Sequence, residues 1–416
     1  MTKVKSILVI LLLVVFSASI FGAGKQEAKK EKIVLKYYQY KPEIVDPLDK
    51  LVGIFHDQNP NITVNIETVG KDYLTVLKTK IASNDIPDIY AVQGAANMKS
   101  YVNEGILADL TNESFMARVA DGAKPAVTYK GKVYALPMDM AGLGVIYNKD
   151  LFKKAGISAP PKTVSELKDA VKKLKAIGVI PFGVAFKEAW TLRHMFSMGH
   201  AATVMPIKFA DDMNAGKTHF WNSQMNKVFE TFDLIKANCN SKPFESNYTN
   251  ETTMFAQGKT AMMTQGLWAM KNVRKVNPDI NAGMFGLPVF EDPSKARLMV
   301  DVDYRIGVNA KSKNVEAAKK FLDFMTTKTA TEIWIRDCKL ISSIKGTSVD
   351  AIGSPVATDI KHYIDTDKTY PWGYAYWAAG LTSKIGPLMQ EYYLGKLTKE
   401  QVCSTMDELW AKAISK

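Results

Sequence analysis

The sequence predicts an α/β protein of two lobes, and three observations support that class. Alternating strand and helix patterns run from Ile33 to residue 92, which is typical of parallel strands joined by crossover helices. The chain has 416 residues, more than one compact core usually holds. Within 131–152 an extended run is interrupted by Pro137 and then resumes as an apolar strand, as expected where a chain passes between two lobes.

The first 24 residues have the pattern of a secretory signal peptide. Lys3 and Lys5 precede an unbroken apolar run over 7–16, and small residues follow that run. The run is shorter than the roughly 20 residues that a bilayer span requires. We therefore expect cleavage after 1–24, a mobile leader over 25–32 and export to the periplasm or the extracellular space. No cysteine lies near the cleavage region, so no lipid anchor is expected.

Hydrophobic periodicity and end signals place the elements of the first third in order. The first helix is expected to take Asp46 as its N-cap, with Pro47 at its first position. Strands are predicted at 33–40, 62–66 and 86–92, with helices at 46–55 and 74–81 between them.

The second region has clearer helix caps. Thr163 and Glu166 form a capping-box pattern before an amphipathic helix. Thr398 and Gln401 form the same pattern before a terminal helix. The other elements predicted here are strands at 180–186 and 260–264 and helices at 222–237 and 317–325.

Composition and motif content do not indicate an enzyme or a nucleic-acid binder. The chain has 54 Lys and Arg against 42 Asp and Glu, but the basic residues are scattered and the protein is expected to be exported. His-Glu-x-x-His, Gly-x-Ser-x-Gly and Walker patterns are absent from the sequence. No metal or other cofactor is expected. Cys239, Cys338 and Cys403 are too few for a disulfide framework, although one bridge stays open.

Four segments, in order along the chain, resemble those of one known family. They are DIPDI at 85–89, GKVYALPMDMAGLGVIYNKDLF at 131–152, GKTAMMTQGLWAM at 258–270 and SKNVEAAKKFLDF at 312–324. In residue types and spacing they are similar to segments of the extracellular solute-binding proteins of sugar-importing ABC transporters, the maltose-binding-protein-like family.

The resemblance implies a two-lobed periplasmic-binding-protein type II fold with a hinged interlobe cleft. Each lobe would be assembled from discontinuous segments, 33–139 with 292–340 in lobe 1 and 140–291 with 341–416 in lobe 2. The chain would cross between the lobes near Asp139, again at 287–292 and finally at 340–345.

The resemblance also implies a function. Such a protein, a monomer, captures a carbohydrate, here expected to be an oligosaccharide, by hinge closure and delivers it to ABC permease subunits in the membrane. It catalyses no reaction. The alternatives are a binding protein for a non-sugar solute, a ligand-sensing receptor module and, with least support, a secreted glycan hydrolase, for which no carboxylate pair is indicated.

At two places the sequence departs from the family pattern, so the ligand need not be maltose. Many relatives carry a Gly-Gly pair near the second crossing, where this chain has DVDYR at 301–305. Maltose-binding relatives place a glutamate just after the first crossing, where this chain has Met140 and Ala141.

A sugar presents apolar C–H faces and a rim of hydroxyl groups, so its site needs aromatic plates together with carboxylates or amides. The resemblance places Trp268 where the family has a stacking tryptophan. Trp190 and Glu188 follow the strand 180–186, at the edge where α/β sites form. Trp372 lies between a proline and a glycine in YPWGYAYW. The alternatives are core packing for the tryptophans and a solvated loop position for the glutamate.

The remaining candidates lie on the other lobe and at the crossings. Tyr40 follows the first strand, Gln93 follows the third, and Asp139 lies at the first crossing, where it could instead cap backbone amides. Asp303 and Arg305 alternate with Asp301 along one strand, so the three side chains are expected to share a face. They could bind ligand hydroxyls or form an internal salt bridge, and the sequence leaves both open.

Overall fold

The computed structural model describes residues 32–378 and 380–415. The predicted signal peptide and residues 25–31 of the leader therefore lie outside the described residues. The strands are β1 Ile33–Gln39, β2 Ile62–Thr68, β3 Ile89–Ala91, β4 Thr128–Tyr129, β5 Lys132–Val133, β6 Leu136–Asn148, β7 Ile180–Gly183, β8 Thr260–Gly266, β9 Ala282–Phe285, β10 Leu298–Val308, β11 Ile341–Ser342 and β12 Thr369–Tyr370.

The helices carry most of the remaining regular structure. They are α1 Val45–Gln58, α2 Tyr73–Ala82, α3 Gly94–Asn103, α4 Lys149–Lys154, α5 Val164–Ala176, α6 Ala189–Ala201, α7 Pro206–Asn214, α8 Met225–Ala237, α9 Tyr248–Ala256, α10 Ala269–Val276, α11 Val315–Met325, α12 Lys328–Ile333, α13 Pro355–Asp365, α14 Ile385–Tyr393 and α15 Lys399–Ile414. Short 3-10 segments include Pro42–Ile44 and Gly373–Tyr376. In the described residues, no helix combines the length and apolar character that crossing a bilayer requires.

One continuous sheet connects the two halves of the molecule. Its main strand order is β2-β1-β3-β10-β6-β8-β7. β1 is parallel to β2 and β3, and β7 is parallel to β8, so each outer part has the parallel pairing of an α/β fold. The two long inner strands, β6 and β10, are antiparallel to each other.

β6 and β10 carry the chain across the middle of the molecule. β6 pairs with β10 over its first part and with β8 and β9 over its second part. β10 pairs with β12 near its start and with β3 near its end. Asp139 lies within β6, as expected of the first crossing. The second crossing was predicted at 287–292, a segment in which the structure has no strand, and its position stays a prediction.

Two buried hydrophobic clusters stabilise the two sides. One packs around β1 to β3 and includes Tyr37 and Phe55, and the other packs around β7 and α6 and includes Phe196. The first cluster extends along the continuous sheet and also includes Met270 and Ile360. The lobe boundaries given above stay a prediction.

Local sequence signals placed some helix ends well and others poorly. Both predicted capping boxes, at Thr163 and at Thr398, are present with reciprocal hydrogen bonds. The predicted N-cap at Asp46 is wrong, because a 3-10 turn at Pro42–Ile44 precedes α1 and the helix begins at Val45. β3 and β7 are shorter than predicted, since residues 86–88 and 184–186 lie outside the ladder.

Gly144 allows β6 to pass close to its neighbours, and an added methyl group should destabilise the crossing. A Cβ at this position would lie 2.6 Å from the carbonyl oxygen of Phe285 and 2.5 Å from Leu298 Cδ1. We expect Gly144→Ala to lower the free energy of unfolding by about 1–3 kcal/mol, measured by urea denaturation. Gly122→Ala is the control, because a Cβ at Gly122 meets no atom within 4 Å. Equal stabilities of the two variants would contradict the prediction.

Candidate functional site

A buried ion pair lies where β1 ends beside the crossing strand β10. The side chain of Lys41 is 4% exposed and pairs with the carboxylate of Asp303, which is 12% exposed. Beside them the hydroxyl of Tyr40 donates a hydrogen bond to the main-chain oxygen of Asp303 at 3.1 Å. Tyr40 and Asp303 were predicted site residues, and the structure brings them together. Lys41 was not predicted, since a lysine after a strand has no special sequence signal.

A β-bulge explains how Asp303 reaches Lys41. Val302 pairs with Met140 on β6 and Tyr304 pairs with Asp139, so Asp303 is an extra residue on β10. Bulges redirect side chains and often lie beside functional sites. The expectation that Asp301, Asp303 and Arg305 alternate regularly on one face therefore needs correction, because the bulge interrupts the alternation at Asp303.

Asp139 lies beside the bulge and is completely buried. Its Oδ1 accepts a hydrogen bond from the main-chain N–H of Tyr304 at 3.1 Å, which is the backbone-capping alternative. Its Oδ2 is buried and has no hydrogen-bond partner among the described residues. Burial raises the pKa of Asp139 to about 7, the nearby Lys41 opposes that rise, and Asp303 adds to it. One carboxyl oxygen of Asp139 is thus buried without a hydrogen-bond partner among the described residues.

Asp301 and Arg305 form the internal salt bridge that the sequence left open. The two side chains are at most 5% exposed, and Arg305 Nη2 lies 3.7 Å from Asp301 Oδ1. Arg305 Nε donates to the main-chain oxygen of Ala126 at 3.2 Å. Asp301 Oδ2 accepts from the main-chain N–H of Trp372 at 3.1 Å. The pair therefore links β10 to the segment that carries Trp372, and direct ligand binding by Arg305 stays a prediction.

The three predicted tryptophans belong to one connected aromatic group. Trp268 lies at the N-cap of α10, and its ring centre is 5.7 Å from that of Trp372 and 5.4 Å from that of His194. The Trp190 ring lies 5.2 Å from His194 on its other side. Tyr374 contacts both Trp372, at 5.6 Å, and His194, at 5.4 Å. Trp190 and Trp268 are partly exposed, whereas Trp372 is buried.

Glu188 fixes the position of the Trp190 ring. One carboxylate oxygen, Oε2, accepts from the indole Nε1–H of Trp190 at 2.6 Å. The other, Oε1, accepts from the main-chain N–H of Tyr248 at 3.0 Å, at the start of α9. Both oxygens have protein partners, so the contacts of Glu188 orient an aromatic ring. Its predicted role as a direct ligand residue stays untested.

Arg193 is a second polar residue that the sequence prediction missed. It lies one helical turn after Trp190 on α6, and its guanidinium carbon is 4.9 Å from the centre of the Tyr374 ring. Its Nη2 lies 3.3 Å from His194 Nε2. Burial lowers the pKa of His194 well below its usual value, so the imidazole is neutral near pH 7. The i, i+3 spacing from Trp190 was the signal available in the sequence.

The two sides of the molecule touch around this group. Lys271 on α10 donates from Nζ to the main-chain oxygen of Glu43, which follows β1. Gln93, a predicted site residue, is the N-cap of α3 and is partly buried. The next residue, Gly94, lies against the aromatic segment, since a Cβ there would be 3.7 Å from Ala375 Cα. Residues from both sides and from β6 and β10 therefore meet at one place, which we call the interlobe cluster. Its members are Tyr40, Lys41, Gln93, Asp139, Glu188, Trp190, Arg193, His194, Trp268, Asp301, Asp303, Arg305, Trp372 and Tyr374.

The donor set of the described residues is suited to an organic ligand. No group of three or more His, Cys, Asp or Glu in the described part of the chain could hold a metal ion. Cys239, Cys338 and Cys403 are free thiols, and burial raises the pKa of each. The interlobe cluster contains aromatic faces, hydrogen-bond donors and one unpartnered carboxyl oxygen, a combination that suits non-covalent binding.

Comparisons with known proteins show which family the sequence matches. The model of the bacterial extracellular solute-binding protein family matches residues 37–332, more than half of the chain. The multiple sugar-binding protein of Streptococcus mutans is 26% identical over 366 residues, covering 84% of each chain. The melibiose/raffinose/stachyose-binding protein MelE of Bacillus subtilis is 22% identical over 359 residues, covering 83% of this chain and 81% of the relative.

Solved structures confirm the predicted two-lobed α/β fold. The solute-binding protein RafE in complex with raffinose superposes with a TM-score of 0.81 at 22% identity, covering 92% of this chain and 100% of that one. A sugar transporter of Bacillus licheniformis in complex with stachyose gives 0.78 at 23% identity, with the same coverage. With the family match over residues 37–332, the protein belongs to the bacterial extracellular solute-binding protein family.

Proposed function

We propose that this protein captures an oligosaccharide between its lobes and delivers it to an ABC permease in the membrane. The observation that carries the proposal is the interlobe cluster, where Trp190, Trp268 and Trp372 form one aromatic group beside the charged groups of both crossing strands. The names of relatives that bind multiple sugars, raffinose and stachyose support a saccharide as the solute.

The chemistry of the cluster matches the two kinds of surface that a sugar presents. The partly exposed rings of Trp190 and Trp268 offer flat apolar faces to pyranose C–H groups. Arg193 offers N–H donors to hydroxyl groups, and the phenol oxygen of Tyr40 and the unpartnered Oδ2 of Asp139 offer acceptors. Gln93 is within the same junction and adds an amide. Binding a sugar through these aromatic faces and polar groups does not require a catalytic residue.

Binding is coupled to closure because the contacts come from both sides. Tyr40 and Gln93 follow β1 and β3, which lie in the first buried cluster, whereas Trp372 belongs to the second cluster and Trp268 packs against both. A ligand that contacts both sets gains those contacts in the closed form, so it shifts the equilibrium toward closure. The closed protein then presents a surface that a permease can recognise. We further propose that residues 1–24 are removed on export and that the mature protein acts as a monomer.

The first test is calorimetric titration of the mature protein against a panel of small molecules. We expect raffinose, stachyose, maltotriose or an acidic oligosaccharide to bind and to be recovered unchanged. Binding of a peptide, a polyamine or a glycerophosphodiester, with no saccharide bound, would refute the proposed solute class. Release of shorter saccharides on incubation would instead indicate a hydrolase.

Trp268→Ala tests the stacking role. Removing the ring takes away an aromatic face that touches both His194 and Trp372. We expect the affinity for the bound saccharide to fall by about 10- to 100-fold, measured by calorimetry. Trp221→Ala is the matched control, since Trp221 packs against Phe229 away from the interlobe cluster and should leave affinity nearly unchanged. Equal affinities of the two variants would reject the stacking role.

Asp139 should make the stability of the protein depend on pH. The folded carboxyl titrates near pH 7, whereas the ordinary pKa is 3.8. Between these values the folded protein binds more protons than the unfolded chain, so this group makes the free energy of unfolding fall as the pH rises. We expect Asp139→Asn to lose stability less steeply than the natural protein from about pH 4 to about pH 7, measured by urea denaturation. Parallel curves would contradict the raised pKa.

A further inference from the structure

The interlobe cluster contains buried hydrogen-bond donors without partners. Arg193 Nε and Trp372 Nε1 are both buried, and neither has a hydrogen-bond partner among the residues that the structure describes. They flank the same ring, since Tyr374 lies 4.9 Å from the Arg193 guanidinium and 5.6 Å from the Trp372 ring. An N–H group that is buried without an acceptor costs about 1–3 kcal/mol. A ligand that supplies acceptors here would remove that cost.

Three carboxylates of the interlobe cluster already have partners. Glu188 accepts from Trp190 and from the main chain of Tyr248. Asp303 pairs with Lys41. Asp301 accepts from the main-chain N–H groups of Val302 and Trp372 and pairs with Arg305. The protein has therefore used these acceptors internally, so the unmatched groups around Tyr374 are mainly donors.

The charges of the cluster also indicate that an acceptor is missing beside Arg193. Lys41 and Arg305 each have a carboxylate partner, whereas Arg193 forms no ion pair within the described part of the chain. Burial raises the pKa of both Asp139 and Glu43, which favours their neutral forms. Burial also lowers the pKa of Arg193, since its charge is removed from water. Arg193 is a half-buried residue whose guanidinium has no direct ion-pair partner in the described residues, although the charge of Asp303 favours its cationic form.

We propose, as an inference that rests on the sugar-binding function above, that the ligand is an acidic oligosaccharide whose carboxylate is bound by Arg193. A neutral sugar hydroxyl both donates and accepts, so it matches a surplus of donors less well than a carboxylate, which only accepts. The planar guanidinium, with its five N–H groups, is matched in shape and charge to a carboxylate. Trp190 and Trp268 remain available for the sugar rings.

The test compares three probes in calorimetric titrations of the full mature protein. Trigalacturonate carries the carboxylates, its trimethyl ester has the same skeleton without charge, and raffinose is a neutral oligosaccharide. We expect the natural protein to bind trigalacturonate at least about tenfold more tightly than the ester or raffinose. We expect that preference to weaken as salt is added, because the interaction is partly between opposite charges.

Three variants assign the preference to one side chain. Arg193→Gln should lower the affinity for trigalacturonate more than the affinity for its ester, so that the advantage of trigalacturonate over the ester disappears. Arg193→Lys keeps the charge and loses the planar fork, so part of the preference should remain. Lys187→Gln is the matched control, because this exposed lysine lies just before α6 and its removal should change nothing. Thermal melting verifies that each variant is folded.

The outcomes separate this inference from the proposed function. If raffinose or the ester binds as tightly as trigalacturonate, the acidic ligand is wrong and the sugar-binding function stands. If Arg193→Gln weakens all bound probes equally, the arginine has a structural role and the inference is also overturned. If no saccharide binds and another solute class does, the proposed function itself fails.

Discussion

The buried contact between Lys41 and Asp303 is the interaction on which the site depends. It joins the segment after β1 to the long strand β10 in the middle of the sheet. Removing either partner leaves a charge buried without compensation, at a cost of about 3–5 kcal/mol. The pair forms because a bulge makes Asp303 an extra residue on its strand. The same bulge brings the main-chain N–H of Tyr304 to Asp139.

Acidic side chains around the cluster orient other groups, and this explains the character of the site. Glu188 holds the Trp190 indole, and Asp301 holds the main chain at Trp372. Rings whose positions are fixed in this way lose little freedom when a ligand binds, so more of the contact energy appears as affinity. The consequence is a site with rigid aromatic faces and few free acceptors. Arg193 is its most distinctive polar group.

Local signals in the sequence predicted much of the fold, because capping boxes and hydrophobic periods depend on residues that are close along the chain. Trp268 was chosen from the family resemblance, Trp190 from its place after a strand, and Trp372 from the proline and glycine beside it. Lys41 was missed because its partner lies 262 residues away, and no pattern in the sequence marks such a pairing. The bulge was missed for the same reason, since a register shift between β6 and β10 is a property of two distant segments.

The proposed binding site lies beside the two long strands β6 and β10, and this position has an electrostatic consequence. Asp139 lies on β6 and Asp303 on β10, while Arg193 approaches the same place from α6. Closure removes water from these groups, and the energy between charges rises as the effective dielectric constant falls. An unpaired guanidinium opposes that step, because its desolvation is uncompensated. A ligand carboxylate beside Arg193 would make the electrostatic contribution of the guanidinium to closure favourable. An acidic ligand would therefore stabilise the closed form both through this charge pair and through the contacts of its sugar rings.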